Sequence, residues 1–322
     1  MAGQDIQISI IVPLFNEEQV IQESYERIKR VIEHTGKAYE IIFVNDGSTD
    51  KTEELANKIC NNDSHVKLLS FSRNFGHQMA ITAGMDHACG MAVIVIDADL
   101  QDPPEVIIEM IKEWENGYDV VYGKRIKRKG ETFFKKATAS IFYRVLKHMT
   151  DVEIPVDTGD FRLIDRNVCN YLKSLPERNR YVRGLISWLG FKQTGVEFIR
   201  EERFAGETKY SLKKMMKFSA DAITSFSYKP LKIATFLGTT VSILSFVYLI
   251  IILYKKLLTH ITISGESFII AACLLMNGLV LIVLGIIGEY IGRIYDESKG
   301  RPLYIIKDKE GYDNVTEDKS ND

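Results

Sequence analysis

The sequence predicts an α/β domain built on a mainly parallel, Rossmann-like sheet, followed by amphipathic interface helices and two transmembrane helices. In the first part of the chain, short runs rich in β-branched residues alternate with helical patterns, an order that is typical of parallel sheets. Further on, two stretches contain no Asp, Glu, Lys or Arg: Ile233 to Tyr254 and Ser267 to Gly288. Each has about 22 residues, and a helix of that length reaches roughly 33 Å, enough to cross a bilayer.

Four apolar runs are predicted to form the centre of the sheet, because strands covered on both faces are apolar throughout. They are Ile6 to Val12, Tyr39 to Val44, Val66 to Phe71 and Ala92 to Ile96. Three further strands are predicted at 119–122, 161–164 and 196–199. Apolar residues at helical spacing, such as Ile21, Ile28 and Ile32, predict helices between the strands.

The chain is predicted to have four parts. They are a large domain over 1–210, an interface helix over 211–230, a transmembrane hairpin over 231–292 and a polar tail over 293–322, expected to fray after Lys307. Lys and Arg are concentrated before the first apolar stretch and after the second, which by the positive-inside rule places both ends in the cytoplasm. The first residues lack the basic and apolar regions of a secretory signal. The sequence therefore predicts a multi-pass protein of the cytoplasmic membrane, with its large domain on the cytoplasmic side.

Composition excludes two classes of function. The net charge of -2 argues against a nucleic-acid partner, since general nucleic-acid binders are strongly basic. The 4 cysteines are scattered without the paired spacing of zinc or redox motifs, so they are expected to be reduced.

Acidic residues follow the predicted strands at the points where the strands end. Asp46 follows the second strand, and Asp97 and Asp99 follow the fourth. In open parallel sheets ligands bind beyond the carboxyl ends of the strands, so these side chains are expected to meet in one site. Carboxylates suit Mg²⁺ or Mn²⁺, ions that bind through one or two acidic side chains and substrate phosphate. The glycine-rich turns of dinucleotide and phosphate-loop sites are absent.

Five motifs in a fixed order resemble those of family 2 glycosyltransferases. They are Pro13 to Glu17, Asn45 to Ser48, Asp97 to Asp99, Gln101 to Glu105 and Thr158 to Leu163. More narrowly, the chain is similar to polyprenyl-phosphate glycosyltransferases related to dolichol-phosphate mannose synthase. The two apolar stretches resemble those of the bacterial branch that acts on undecaprenyl phosphate. One departure is Asn45, where many relatives carry a second Asp.

The resemblance implies a GT-A-type domain that binds a nucleotide diphosphate sugar. It implies nucleotide-binding roles for Pro13, Glu17, Asp46, Asp97 and Ala98. Asp97 and Asp99 would also hold the metal, Mg²⁺ or Mn²⁺. The segment from Arg203 to Tyr210 resembles a loop that closes over the donor diphosphate, with Arg203 and Lys209 as its phosphate contacts.

On the acceptor side, Asp160 matches the residue that the family assigns as catalytic base. A lipid phosphate is already largely ionised at neutral pH, so Asp160 could instead orient Arg162 or stabilise positive charge on the sugar. Arg125, Lys135 and Arg162 are the predicted acceptor-phosphate contacts. The segment from Arg73 to His77 also recurs in the family near the nucleotide pocket, and His77 is equally compatible with a surface position.

The resemblance therefore implies transfer of a sugar, from UDP-glucose or a UDP-N-acetylhexosamine, to undecaprenyl phosphate with inversion, for modification of a cell-envelope glycan. Expected partners are the bilayer, a flippase, a downstream glycosyltransferase and further copies of the chain. Two alternatives stay open: a catalytically idle subunit that binds nucleotide sugar or scaffolds a flippase, and a processive polysaccharide synthase. Synthases usually carry more spans and a Gln-x-x-Arg-Trp motif, and this sequence has neither.

Overall fold

A computed structural model describes residues 6–127, 155, 158–201, 236, 240, 241, 243, 247 and 266–312. The chain divides into two compact units. The first unit comprises Met1–Tyr143, Val152–Ser211 and Arg301–Asp322, and the second comprises Arg144–Asp151 and Leu212–Gly300.

The first unit contains strands and helices in alternation up to its fifth strand. The strands are β1 (Ile8–Leu14), β2 (Tyr39–Asn45), β3 (Val66–Phe71), β4 (Ala92–Val95), β5 (Val120–Lys127), β6 (Thr158–Asp165), β7 (Gln193–Ile199) and β8 (Ile306–Glu310). The helices are α1 (Ile21–Glu33), α2 (Thr52–Asn62), α3 (His77–His87), α4 (Val106–Glu115), α5 (Arg166–Ser174) and α6 (Val182–Leu189). All seven predicted strands are therefore confirmed, and β8 is an addition.

The eight strands form one mixed sheet in the order β7-β5-β6-β4-β1-β2-β3-β8. Four of its pairs are parallel: β1 with β2, β1 with β4, β2 with β3, and β5 with β7. The predicted α/β domain with a mainly parallel sheet is thereby confirmed. Because β1, β2 and β4 run in the same direction, their carboxyl ends lie together along one side of the sheet, which we call its carboxyl edge. Strand β6 is antiparallel to β4, with Arg162 opposite Val95, so it begins at that same edge.

Apolar side chains on both faces of the central strands form the core. Every residue of β1 is buried, and Phe43 and Phe161 are among the largest fully buried side chains. Helix α1 contributes Ile21, Ile28 and Ile32 to this core. The core thus covers both faces of the sheet and leaves only its edges and loops for polar ligands.

The expectation that the chain frays from Lys307 onward is wrong for the described residues that follow it. Strand β8 pairs antiparallel with β3, with Glu310 opposite Leu68. Lys307 Nζ lies 3.6 Å from a carboxylate oxygen of Glu53, and Lys67 Nζ lies 5.0 Å from the ring centre of Tyr312. The strand is mostly charged because it lies at the edge of the sheet, where its side chains face water.

In the second unit the structure describes one long helix, α7 (Glu266–Ser298). It contains the second predicted span, and most of the first predicted span lies outside the described residues. Among the residues that are described, no helix combines the length and apolarity required to cross a bilayer. Both spans therefore stay predictions. Several large apolar side chains of α7 are exposed, among them Leu281, Ile282 and Ile294.

Candidate active site

Three of the predicted site residues, Asp46, Asp97 and Asp160, lie at the carboxyl edge of the sheet. His77 connects Asp97 with Asp160. Its Nε2 atom lies 3.5 Å from Asp97 Oδ1 and 3.3 Å from Asp160 Oδ2. Burial alone would lower the pKa of His77, but the carboxylates of Asp97 and Asp160 outweigh it and raise this pKa to about 9. The imidazole is therefore a cation at neutral pH, placed between two acids. His77 therefore lies in the site, and with 43% of its side chain exposed it also lies at the surface.

Asp46 lies at the end of β2 and is almost fully buried, at 3% exposure. Its carboxylate accepts backbone N–H groups of Phe75 at 2.7 Å and Gly76 at 3.0 Å. Burial raises the pKa of Asp46, and the two N–H donors oppose that shift. Gly47 has a φ of +64°, and a side chain there would meet the backbone of Arg73 and, at 2.6 Å, that of Asn74. The segment 72–76 is therefore packed tightly against the residue beside Asp46.

Asp160 lies in β6 and is held by three side chains. Its Oδ1 atom is 2.9 Å from Nε of Arg183, and Gln78 Nε2 donates to Oδ2 at 3.3 Å, next to the His77 contact. Burial would raise the pKa of Asp160, but Arg183, His77 and Arg162 hold this pKa well below its usual range. The carboxylate is therefore ionised throughout the physiological range and is a weak proton acceptor.

Asp97 and Asp99 lie in the turn after β4. Burial, together with the nearby carboxylates of Asp160, Asp99 and Asp102, raises the pKa of Asp97 to about 6, although His77 opposes the shift. The backbone N–H of Gln101 donates to Asp99 Oδ1 at 3.1 Å, and Leu100 has a φ of 57°, unusual for a residue other than glycine. The turn thus presents two acids in a constrained backbone.

These residues fit a divalent metal in their chemistry. Carboxylate oxygens are the ligands that Mg²⁺ and Mn²⁺ take, and a cation would offset the mutual repulsion that raises the pKa of Asp97. Within the described ranges, no group of three or more His, Cys, Asp or Glu side chains is arranged to hold a metal ion. A metal there would need ligands from the substrate as well, as is usual for Mg²⁺.

The other predicted nucleotide residues lie close to this edge. Pro13 is buried in β1 opposite Val44, and Ala98 is buried between the two acids. Glu17 is partly exposed, and its backbone N–H donates to Thr52 Oγ1 at 2.8 Å. Pro13 and Ala98 can therefore shape a pocket mainly through their backbone, whereas the Glu17 side chain reaches solvent.

The predicted acceptor residues are largely buried where the structure describes them. Arg125 Nη2 donates to the carboxylate of Asp102 at 3.0 Å, and a side chain at Gly159 would meet that nitrogen at 2.5 Å. Arg162 Nη2 donates to the carbonyl oxygen of Gly159 at 2.9 Å, and burial lowers the pKa of Arg162 to about 10, with Asp160 opposing the shift. Their acceptor role stays a prediction. Lys135, Arg203 and Lys209 lie outside the described residues.

Asp102→Ala is expected to destabilise the fold strongly. Asp102 is 1% exposed and lies 3.0 Å from Arg125 and 3.6 Å from Arg200, so its removal leaves buried positive charge without its partner. Such losses cost about 3 kcal/mol of folding free energy. The control is Glu197→Ala, which breaks an exposed pair with Lys124 and should cost about 0.5 kcal/mol or less. Differential scanning fluorimetry measures both, and equal shifts in Tm would contradict the prediction.

Comparison with known proteins identifies a family, several relatives and a solved structure that this chain resembles. A family model described as "Glycosyl transferase family 2" matches residues 9–172. The chain is 60% identical over 97% of its length to "Uncharacterized glycosyltransferase YkcC" of Bacillus subtilis, covering 97% of that protein. It is 41% identical over 94% of its length to "Prophage bactoprenol glucosyl transferase homolog" of Escherichia coli, covering 99% of that protein. A solved structure of glucosyl-3-phosphoglycerate synthase from Mycobacterium tuberculosis, with Mn²⁺, UDP and phosphoglyceric acid, is 18% identical and superposes with a TM-score of 0.48, covering 68% of this chain and 76% of that one.

Proposed function

Since the chain belongs to glycosyl transferase family 2, we propose that it transfers a sugar from a UDP-sugar to a polyprenyl phosphate of the undecaprenyl type. The observation that carries the proposal is the arrangement around His77, which joins Asp97 of the donor motif to Asp160 of the acceptor motif at one edge of the sheet. Full-length similarity to a bactoprenol glucosyl transferase homologue supports the acceptor class. Glucose is the first donor sugar to test, followed by N-acetylhexosamines.

The donor is held by the residues around β1, β2 and the turn after β4. Asp46 and the segment 72–76, joined by the Phe75 N–H, would form one wall of the nucleoside pocket, and Pro13 in β1, Glu17 just after β1 and Ala98 in the turn after β4 would line it. Asp97 and Asp99 would hold Mg²⁺ or Mn²⁺. When bound, the metal neutralises the leaving diphosphate.

In the reaction, an oxygen of the lipid phosphate forms a bond to the anomeric carbon while the bond from that carbon to the UDP oxygen breaks. Attack from the face opposite the leaving group inverts the anomeric centre. The phosphate arrives ionised, so no proton has to be removed from it. Asp160 then acts as a fixed anion, oriented by Arg183, Gln78 and His77, that stabilises positive charge developing on the sugar.

The acceptor is embedded in a bilayer, and the second unit of the protein is suited to contact it. The two uncharged stretches have the length of membrane spans, and α7 exposes large apolar side chains. We place the enzyme in the cytoplasmic membrane with its sheet domain on the cytoplasmic side. A flippase, a downstream glycosyltransferase and further copies of the chain are the proposed partners.

The test uses full-length protein purified in detergent, undecaprenyl phosphate, Mn²⁺ or Mg²⁺ and a panel of radiolabelled nucleotide sugars. Label that moves into the organic phase from one donor, only with lipid phosphate and only with metal, is the expected result. A protein that binds a nucleotide sugar but transfers no label would overturn the proposal in favour of the idle-subunit alternative. Label in a long polymer would instead indicate a processive synthase.

A further inference from the structure

The end of the described chain reaches the segment that holds Asp46. Just before β8, the backbone N–H of Ser72 donates to the carbonyl oxygen of Ile305 at 3.0 Å. The ring of Tyr304 stacks on Phe71, with centres 5.3 Å apart and planes at 14°. The Tyr304 hydroxyl donates to Asp86 Oδ2 at 2.8 Å, which fixes the ring from its other end. Tyr304 is therefore anchored to α3 as well as to β3.

From Phe71 the contacts continue into the site. Phe71 meets Phe75 edge to face, with ring centres 5.7 Å apart and planes at 88°. The backbone N–H of Phe75 donates to Asp46 Oδ1 at 2.7 Å, and the Arg73 guanidinium lies over the Phe75 ring, 4.2 Å from its centre. An unbroken series of contacts thus runs from Tyr304 through Phe71 and Phe75 to Asp46.

Because these contacts are tightly packed, a shift of the Tyr304 or Phe71 ring can displace Phe75 and, with it, Asp46. The segment 72–76 lies so close to Gly47 that no side chain would fit between them, so the segment and the end of β2 cannot move separately. The hydrogen bond from Phe75 also sets the direction of the Asp46 carboxylate. A change in the position of the Phe71 ring should therefore alter the orientation of Asp46.

We propose that Tyr304 is a positioning residue for the donor nucleotide, acting through Phe71 and Phe75 on Asp46. The inference rests on the proposed function, in which Asp46 belongs to the nucleoside pocket. Tyr304 touches no substrate. Its contribution is to hold the segment 72–76 in the arrangement that the nucleotide needs, so its loss should weaken donor binding more than it slows turnover.

The test compares three variants of the full-length protein. Tyr304→Ala removes the ring, Tyr304→Phe keeps the ring and loses the hydrogen bond to Asp86, and Tyr39→Ala is the matched control. Tyr39 stacks on His65 at 4.8 Å, at the opposite edge of the sheet from the site, so its removal costs a similar aromatic contact without touching the pocket. Isothermal titration calorimetry with UDP and Mn²⁺ gives Kd, the transfer assay gives donor KM and kcat, and thermal unfolding reports stability.

For Tyr304→Ala we expect UDP Kd and donor KM to rise about threefold to tenfold, the range expected for one aromatic contact, with kcat within about twofold of wild type. Tyr304→Phe should restore most of the affinity, and Tyr39→Ala should lower Tm while leaving Kd unchanged. A wild-type Kd in Tyr304→Ala, or an equal rise in Tyr39→Ala, would show that the tail only stabilises the fold. If Tyr304→Ala does not fold, Tyr304→Leu makes the same comparison. Wild-type protein that binds no UDP would remove the proposed function itself, and this inference with it.

Discussion

Asp99→Ala is expected to lower the rate of sugar transfer by about a thousandfold or more. A diphosphate leaves with its negative charge increasing, and in the proposed site Asp97 and Asp99 would hold the metal that offsets this charge. Removing one preorganised source of charge stabilisation typically costs a factor of about 10² to 10³, and loss of the metal itself adds to that. Asp99 is the better choice for substitution because Asp97 also contacts His77, whose position would change with it.

The measurement has two parts, so that weaker metal binding can be distinguished from a slower transfer step. Electron paramagnetic resonance of Mn²⁺, titrated with UDP present, should show weaker binding in Asp99→Ala than in wild type. Transfer of radiolabel should fall in the same variant and recover little at high Mn²⁺. The matched control is Asp165→Ala, which removes an acid that caps α5 at the opposite edge of the sheet and accepts the N–H of Asn167 at 2.8 Å and the indole N–H of Trp114 at 2.9 Å. It should cost about 2 to 3 kcal/mol of stability and leave Mn²⁺ binding unchanged. Equal Mn²⁺ binding by Asp99→Ala and wild type would exclude the metal role.

Asp160→Asn is the second substitution with a large expected effect, a fall in kcat of about a hundredfold to a thousandfold. The amide has the shape of the carboxylate but not its charge, so Arg183 and His77 lose the anion that they share. A fixed negative charge that faces developing positive charge contributes a factor of this size in other active sites. Donor KM should change little, because Asp160 is proposed to act on the acceptor side of the site.

The dependence on pH separates a fixed anion from a proton acceptor. The pKa of Asp160 is depressed, so its charge is present above the pKa of an unfolded Asp and is lost only as pH falls below that value. Because Asp160 helps raise the pKa of Asp97 to about 6, the rates of wild type and Asp160→Asn are compared above that value, where their ratio should be constant between about pH 7 and pH 8, and the stability gained from Asp160 should decline only below about pH 4. The reaction should also show no solvent deuterium isotope effect on a chemistry-limited kcat. A rate ratio that rises with pH across this range would support a catalytic base.

A control for Asp160→Asn comes from a second buried acid with a depressed pKa. Asp63 pairs with Lys29 at 2.8 Å and accepts the Tyr25 hydroxyl at 2.7 Å, and it lies between α2 and β3, at the amino ends of the parallel strands and away from the site. Burial would raise the pKa of Asp63, but Lys29 and the other donors hold this pKa below its usual range. Asp63→Asn should thus lose stability with the same pH dependence, while its kcat per folded molecule stays at the wild-type value.

The sequence was sufficient to predict the sheet and the acids at its carboxyl edge. Strand periodicity depends on local pattern, and parallel topology then brings Asp46, Asp97 and Asp160 to one side of the sheet. The partners of Asp160 could not be predicted in the same way. Arg183 lies outside every motif and meets Asp160 only through tertiary structure, which also lets Arg183 Nη1 donate to the carbonyl oxygen of Thr158 at 2.8 Å. Gln78 was missed for the same reason, and sequence reasoning paired Asp160 with Arg162 because the two are near neighbours in one motif.

Two backbone features were also beyond prediction. Leu100 has a positive φ, which sequence rules expect of glycine or asparagine, and it is found in the turn that carries both proposed metal ligands. In the sequence, residues 306–310 look like a charged tail, because an edge strand needs few apolar residues. The partner strand of β8 also lies more than 200 positions earlier. Neither feature has a signature within a short window of sequence.

Strand β8 also fixes an order of assembly during synthesis. The ribosome makes all five motifs before residues 306–310, so β3 remains an open edge of the sheet until those residues have been made. A chain that stops before Tyr304 would carry every motif of the family and still lack the strand that covers this edge. For engineering it follows that a truncation should keep Tyr304 and residues 306–310, because they cover this edge.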